Sequence, residues 1–193
     1  GSVGSTVAEL LSKAGVPQIT LVDPERLASE NVGRHALGAS AVGKGKAEGM
    51  AQSLARRFPH LTFEGYQKDI DAFALEDIER LRSATLIIAA TGSWRAESQL
   101  AAIAKVADMP PILYCWTEPY AAAGHAAVFF KGQGCLRCIT TGVGQPNVEV
   151  STWPDRDTLV PVPACGGMFQ PYGAVDLTYT HALVAELALD VFL

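Results

Sequence analysis

Gly1-Ser2-Val3-Gly4-Ser5, Gln18-Ile19-Thr20-Leu21-Val22-Asp23, Asn31-Val32-Gly33-Arg34 and Val42-Gly43-Lys44-Gly45-Lys46 are the four runs whose reading decides the fold. The first carries two glycines at the spacing of the last two in G-x-G-x-x-G. The physical need behind that pattern is a turn with no side chain in the way, so that helix amides can face a phosphate. The second run is a short apolar strand that ends on an acid, where a carboxylate can accept from ribose hydroxyls. Half a glycine motif also describes a plain strand-to-helix turn, so the remaining chain has to support the reading.

Working outward, strand and helix patterns alternate. Residues 5–14 read as a helix with Val7, Leu10, Leu11 and Ala14 on one face and Gly15 as its stop. Strands are expected at 18–22, 61–67, 84–91 and 111–117, and helices at 43–58, 74–81 and 96–107. A strand at 125–130 follows its predecessor with no helix between them, which predicts antiparallel pairing. Alternation of this kind specifies an α/β fold, a Rossmann-like, mostly parallel sheet flanked by helices. Residues 132–171, rich in Gly and Pro, read as one long cysteine-bearing crossover loop before a C-terminal helix at 174–193. Loops of that length inside compact domains are usually functional.

Composition narrows the classes. The 193 residues suit one domain, 1–193, and 49% hydrophobic against 18% charged residues is a globular balance. A net charge of -5 with no basic run argues against nucleic acid as a ligand. No apolar run approaches the roughly 20 residues of a membrane helix. Four unevenly spaced cysteines without a secretory signal predict a reducing, cytoplasmic setting. The chain opens inside the glycine turn with no strand ahead of it, which suggests a fragment of a longer protein.

Asn31, Arg34 and Lys46 sharpen the picture. Each alone is an ordinary surface residue, but an ordered set of cationic groups behind a phosphate turn suits chemistry on a triphosphate. A nicotinamide-dependent oxidoreductase would use the turn and Asp23 and leave Arg34 and Lys46 without a task. The glycine turn, Asp23-Pro24-Glu25, Asn31-x-x-Arg34 and Val42-Gly43-x-x-Lys46 together resemble the ThiF/MoeB-like family of ATP-dependent activators related to ubiquitin-activating enzymes.

That resemblance implies that Gly1, Gly4, Asp23 and Thr91 help hold ATP, and that Asn31, Arg34 and Lys46 contact its triphosphate, with Mg2+ as companion. Lys46 fits the family's spacing better than Lys44. The resemblance further implies that Cys165, in Pro163-Ala164-Cys165-Gly166-Gly167, takes up an acyl group as a thioester, so that Cys165, Arg34 and Lys46 form the catalytic set. Its substrate would be the C-terminal carboxylate of a ubiquitin-like or partner protein, and the protein itself a homodimer. The segment from Pro163 to Leu177 looks most like activating domains fused to conjugating domains in bacteria, including those of CBASS anti-phage operons. A sulfur-carrier activator of thiamine or molybdopterin synthesis, and a catalytically silent nucleotide-binding module, are the alternatives.

Two departures weigh toward the silent module. The family usually places T-D-N after the strand at 84–91, its Asp holding magnesium, and here the residues are Thr91-Gly92-Ser93. Asp69, Asp71 and Glu97 are the nearby acids that would replace it. The G-V that usually trails the reactive cysteine is also missing. Cys135-x-x-Cys138 resembles half of the family's four-cysteine zinc site and reads equally as a redox-capable pair. Cys115 reads as core, and His35 and His125 as histidines that each stand alone.

Overall fold

The computed structural model describes residues 1–152, 158–161, 168–169 and 171–192. Helix α1 (Ser2–Lys13) starts the chain and is followed by strand β1 (Gln18–Val22), helix α2 (Lys46–Arg57) and strand β2 (Thr62–Tyr66). Short helices α3 (Ile70–Glu76) and α4 (Ile78–Arg82) lead to strand β3 (Ile87–Ala89), helix α5 (Trp94–Val106), and strands β4 (Ile112–Thr117) and β5 (Gly124–Phe129). A two-residue antiparallel pair, β6 (Val160–Pro161) with β7 (Met168–Phe169), precedes the C-terminal helix α6 (Thr178–Phe192).

β1 pairs parallel with β2, and β3 pairs parallel with β4. β5 runs antiparallel to β4, with Ile112 opposite Phe129 and Trp116 opposite His125. The α/β, mostly parallel reading therefore holds. Among the described residues the strands form three groups, β1-β2, β3-β4-β5 and β6-β7, rather than one continuous ladder.

Alternation along β4 explains the layers. Ile112 and Tyr114 face one side with Leu100 and Ala101 of α5, and Leu113 and Cys115 face the other with Val7, Leu11, Val184 and Ala188. Residues 112 to 115 are buried on both faces, as a central strand between helix layers must be. A third cluster, Ala8, Leu27, Leu37, Ala41, Met50 and Leu54, packs α1 and α2 under the segment between β1 and α2. Burying one such Leu contributes about 1.5–3 kcal/mol relative to leaving it in water.

Several boundaries differ from the sequence reading. α1 starts three residues earlier than expected, because Gly1 serves as its N-cap and the glycine turn is already its first turn. The single helix expected at 74–81 is two, broken at Asp77. There the carboxylate accepts from the Arg80 N–H at 3.1 Å and caps α4. The strand expected at 84–91 contracts to β3, and the helix expected from residue 43 begins at Lys46. No helix among the described residues is long and apolar enough to cross a membrane.

Candidate functional site

The site is built at the N-terminus of α1, beside the C-terminal ends of β1 and β3. α1 has no side chain capping its first turn and no acidic residue in it. Its leading amides are therefore free to receive an anion, which the helix dipole favours. The Gly1 nitrogen lies 3.1 Å from Asp23 Oδ2, and the Glu25 N–H donates to Asp23 Oδ1 at 2.9 Å. Those contacts hold the Asp23 carboxylate at the mouth of the turn. A side chain on Gly4 would start 3.4 Å from Ala90 Cβ, in ordinary contact, so the first turn of α1 lies beside the end of β3.

The segment between β1 and α2 folds back on itself to deliver the cations. The Leu27 N–H donates to the Lys44 carbonyl at 2.9 Å, the Gly43 N–H to the Leu27 carbonyl at 2.8 Å, and the Lys46 N–H to the Glu25 carbonyl at 2.9 Å. Lys46, the first residue of α2, is thereby buried, and its ammonium is ion-paired with the exposed Glu25 carboxylate. Arg34 and His35 donate their backbone N–H groups to the Asn31 carbonyl, each at 3.0 Å. Asn31 Oδ1 accepts from the Ala28 N–H at 3.4 Å. The fields of Arg34 and Lys46 both reach the Glu30 carboxylate, held below its usual range by its own backbone amide and Ser29 first. His35 is buried and accepts from the Leu37 N–H through Nδ1 at 3.1 Å. Burial, reinforced by nearby positive charge including Lys46, pushes its imidazole down to about 4, so it is neutral at pH 7. His35 is thus a core histidine, as its isolation in the sequence implied.

At the end of β3 the Thr91 hydroxyl donates to Glu97 Oε1 at 2.8 Å and accepts from the Ser93 N–H at 3.1 Å. Of the acids the sequence offered in place of the missing Asp, Glu97 is therefore the one at this turn, while Asp71 accepts from Gln99 on α5. Burial pushes the Glu97 carboxyl up, against the Thr91 hydrogen bond. A divalent cation would reverse that penalty. Magnesium takes one or two protein carboxylates and draws its other oxygens from phosphates and water, so Glu97 and Thr91 fit such an ion. Among the described residues no group of three or more His, Cys, Asp or Glu comes together to hold a metal by protein ligands alone.

Other expectations land elsewhere. Trp94 packs against Gly144 and, with Arg137, Thr140 and Thr141, lines a shallow concavity of about 190 Å³ on the crossover side. Lys44 lines another of about 250 Å³ with Arg26, Glu48 and Gln52. Neither is lined by Asp23, Asn31, Arg34, Lys46 or Thr91. Cys115 is core, and burial pushes its thiol up to about 12. The sulfurs of Cys135 and Cys138 lie 3.8 Å apart. Cys165 lies outside the described residues.

Sequence reasoning missed two contacts. Tyr172 sits ahead of α6 with its ring centre 5.9 Å from the Arg34 guanidinium carbon, a cation–π contact. Glu118 was passed over, and His125 does not stand alone: its Nε2 lies 2.7 Å from Glu118 Oε1. The one available signal was a carboxylate placed directly after a largely apolar strand.

The chain belongs to the ThiF family, whose model matches residues 1–185. It is 28% identical to the ATP-dependent ubiquitin transferase-like protein Cap2 of Pseudomonas aeruginosa, over 98% of this chain and 34% of that protein. It is 26% identical to the molybdopterin-synthase adenylyltransferase of Salmonella typhimurium, over 92% of this chain and 69% of that protein. The crystal structure of E. coli MccB with AMPCPP and selenomethionine MccA superposes with a TM-score of 0.69 at 15% identity, covering 99% of this chain and 53% of that one. At that identity the likeness shows the shared fold. The chain spans about a third of the length of Cap2 and about half of MccB.

Proposed function

We propose that this ThiF-family chain adenylates the C-terminal carboxylate of a ubiquitin-like or partner protein and passes the acyl group to Cys165. The observation that carries the reading is the uncapped first turn of α1 with Asp23 at its mouth, flanked by the cation-bearing segment of Asn31, Arg34 and Lys46. Gly1 and Gly4 admit the phosphates to the helix amides, Asp23 accepts from the ribose, and Asn31, Arg34 and Lys46 face the triphosphate. One carboxylate oxygen attacks the α-phosphorus, and pyrophosphate leaves with the electron pair of the broken P–O bond. Arg34 and Lys46 stabilise the charge that builds on the nonbridging and departing oxygens. To do so Lys46 gives up its Glu25 partner for phosphate. Thr91 and Glu97 are the residues that would hold the magnesium accompanying ATP, and it would add positive charge beside the phosphates. The Cys165 thiolate then attacks the acyl carbon, AMP departs, and a thioester remains.

The names of Cap2, a ubiquitin transferase-like protein, and MccB, crystallised with MccA, support a protein substrate. We further propose a setting in a bacterial conjugation system of the anti-phage kind, and we place the protein as a cytoplasmic homodimer. The likeness to a molybdopterin-synthase adenylyltransferase favours a second reading, activation of a sulfur carrier without an acyl-cysteine. Intact mass after incubation with MgATP and each carrier separates the two. A thiol-sensitive adduct that disappears in Cys165→Ala supports the first, and adenylate alone supports the second. Absence of ATP–pyrophosphate exchange with ATP still bound would leave a silent binding module.

A further inference from the structure

We infer that Glu118 is a positioning residue that clasps the crossover loop onto the C-terminal edge of the β4–β5 pair. Its carboxylate is the convergence point of two stretches far apart in sequence. Oε1 accepts from the Val150 N–H at 2.7 Å and meets His125 Nε2 at 2.7 Å. Oε2 accepts from the Ser151 N–H at 2.7 Å and from the Ser151 hydroxyl. The side chain is 4% exposed, so these bonds work in a site shielded from water. Burial alone would raise the carboxyl, but the bonds from Ser151, Val150 and His125 outweigh it and hold it at about 2. The clasp is therefore charged at pH 7.

The surroundings are built to keep that carboxylate still. The His125 ring stacks on Trp116 with centres 5.0 Å apart and planes 8° from parallel, which fixes the direction of Nε2. Gly124 admits no side chain, because one would run into Thr180 of α6, so the start of β5 is wedged against that helix. Between Glu118 and Gly124 the chain holds Tyr120 at φ 58° and Ala121 at φ 54°, both left-handed and neither glycine. Such backbone persists only where the surroundings over-determine it. On the loop side Val148 and Val150 are exposed, and among the described residues neither belongs to a strand. A carboxylate on a rigid edge thus supplies the anchor for a loop that runs on, 14 residues beyond Ser151, to Cys165.

The consequence for chemistry rests on the reading of Cys165 given above: the clasp orients the acyl-accepting loop and leaves adenylation untouched. Two variants test it in the full chain. Glu118→Gln can no longer accept all of these N–H and O–H donors, and Val150→Pro deletes one donor from the loop side without touching the sheet. In both, exchange of the Ser151 amide, and in Glu118→Gln of the Val150 amide as well, should rise at least tenfold, with β4 and β5 as protected as before. Exchange unchanged in that segment, or rising equally through β4 and β5, overturns the clasp. In the functional arm, ATP–pyrophosphate exchange should stay within twofold of wild type while transfer to Cys165 falls at least tenfold. Equal losses in both steps overturn the positioning role. Absence of adenylation in the wild-type protein refutes the proposed function instead, and the exchange measurement still judges the clasp.

Discussion

Replacing Lys46 by Met and by Ala separates two roles that one buried lysine combines. The residue is 5% exposed, yet its ammonium pairs with a Glu25 side chain that is 67% exposed. Met keeps the length of the stem and deletes only the charge. Glu25 then returns to water, so the loss is that of a largely solvated ion pair, about 0–1 kcal/mol. Ala also removes three buried methylenes, at about 0.8 kcal/mol each, and so costs a further 2–3 kcal/mol or thereabouts. For a chain of this size about 1 kcal/mol moves Tm by roughly 2–4 °C. Lys46→Met should therefore melt within about 4 °C of wild type and Lys46→Ala about 4–12 °C below Lys46→Met. In ATP–pyrophosphate exchange the two should be equally poor. Loss of a charged donor aimed at a developing negative charge costs about 10²–10³ in rate. Full exchange by Lys46→Met refutes the assignment of Lys46 to phosphate. Equal melting of the two variants refutes the argument that its stem packs.

Gly92 has φ +62° and open space around it, a conformation that Asp tolerates better than most residues, so Gly92→Asp should cost about 1 kcal/mol and lower the Mg2+ needed for half-maximal exchange. An unchanged magnesium titration would show that position 92 does not face the ion. Glu9 is held at about 2 by its hydrogen bond to Arg57, against burial and with help from Lys13. A depressed carboxyl stabilises the fold above its unfolded value of about 4.5 and loses that contribution as pH falls toward 2. With Arg57 42% exposed, screening reduces the pair to about 1 kcal/mol. Glu9→Gln should be less stable than wild type by that amount at pH 7 and equal to it at pH 2, as read from urea midpoints, and a difference that persists at pH 2 would assign the effect to packing. Leu54 is fully buried between α2 and the segment above it, and Leu54→Ala should cost about 2–5 kcal/mol in urea unfolding. A smaller loss would mean that this cluster collapses to fill the space.

Local rules made much of the architecture legible from residues alone. Apolar periodicity placed α1, α2, α5 and α6 and four of the five main strands within a few residues of their observed bounds. The lack of a helix between β4 and β5 was enough to require antiparallel pairing, because a short connection leaves no room for a crossover. Asp23 directly follows β1 and Lys46 opens α2, and those two positions were readable from the order of the residues. The split between α3 and α4 escaped because Asp77 is as compatible with a helix interior as with a cap until its carboxylate has a direction.

What the amino-acid order determined by itself is the alternation of strands and helices, the family, and the identity of the charged groups gathered near the first turn of α1. Only the tertiary structure decided their partners. It set Lys46 on Glu25, Tyr172 over Arg34, Glu97 on Thr91, and Glu118 between His125 and the loop at Ser151. Periodicity and turn chemistry act over a few residues and can be read in one dimension. Contacts such as Lys46 with Glu25, Glu118 with Ser151 and Arg34 with Tyr172 join residues far apart in the chain, so they depend on where the packed layers return it, and no local pattern carries that information.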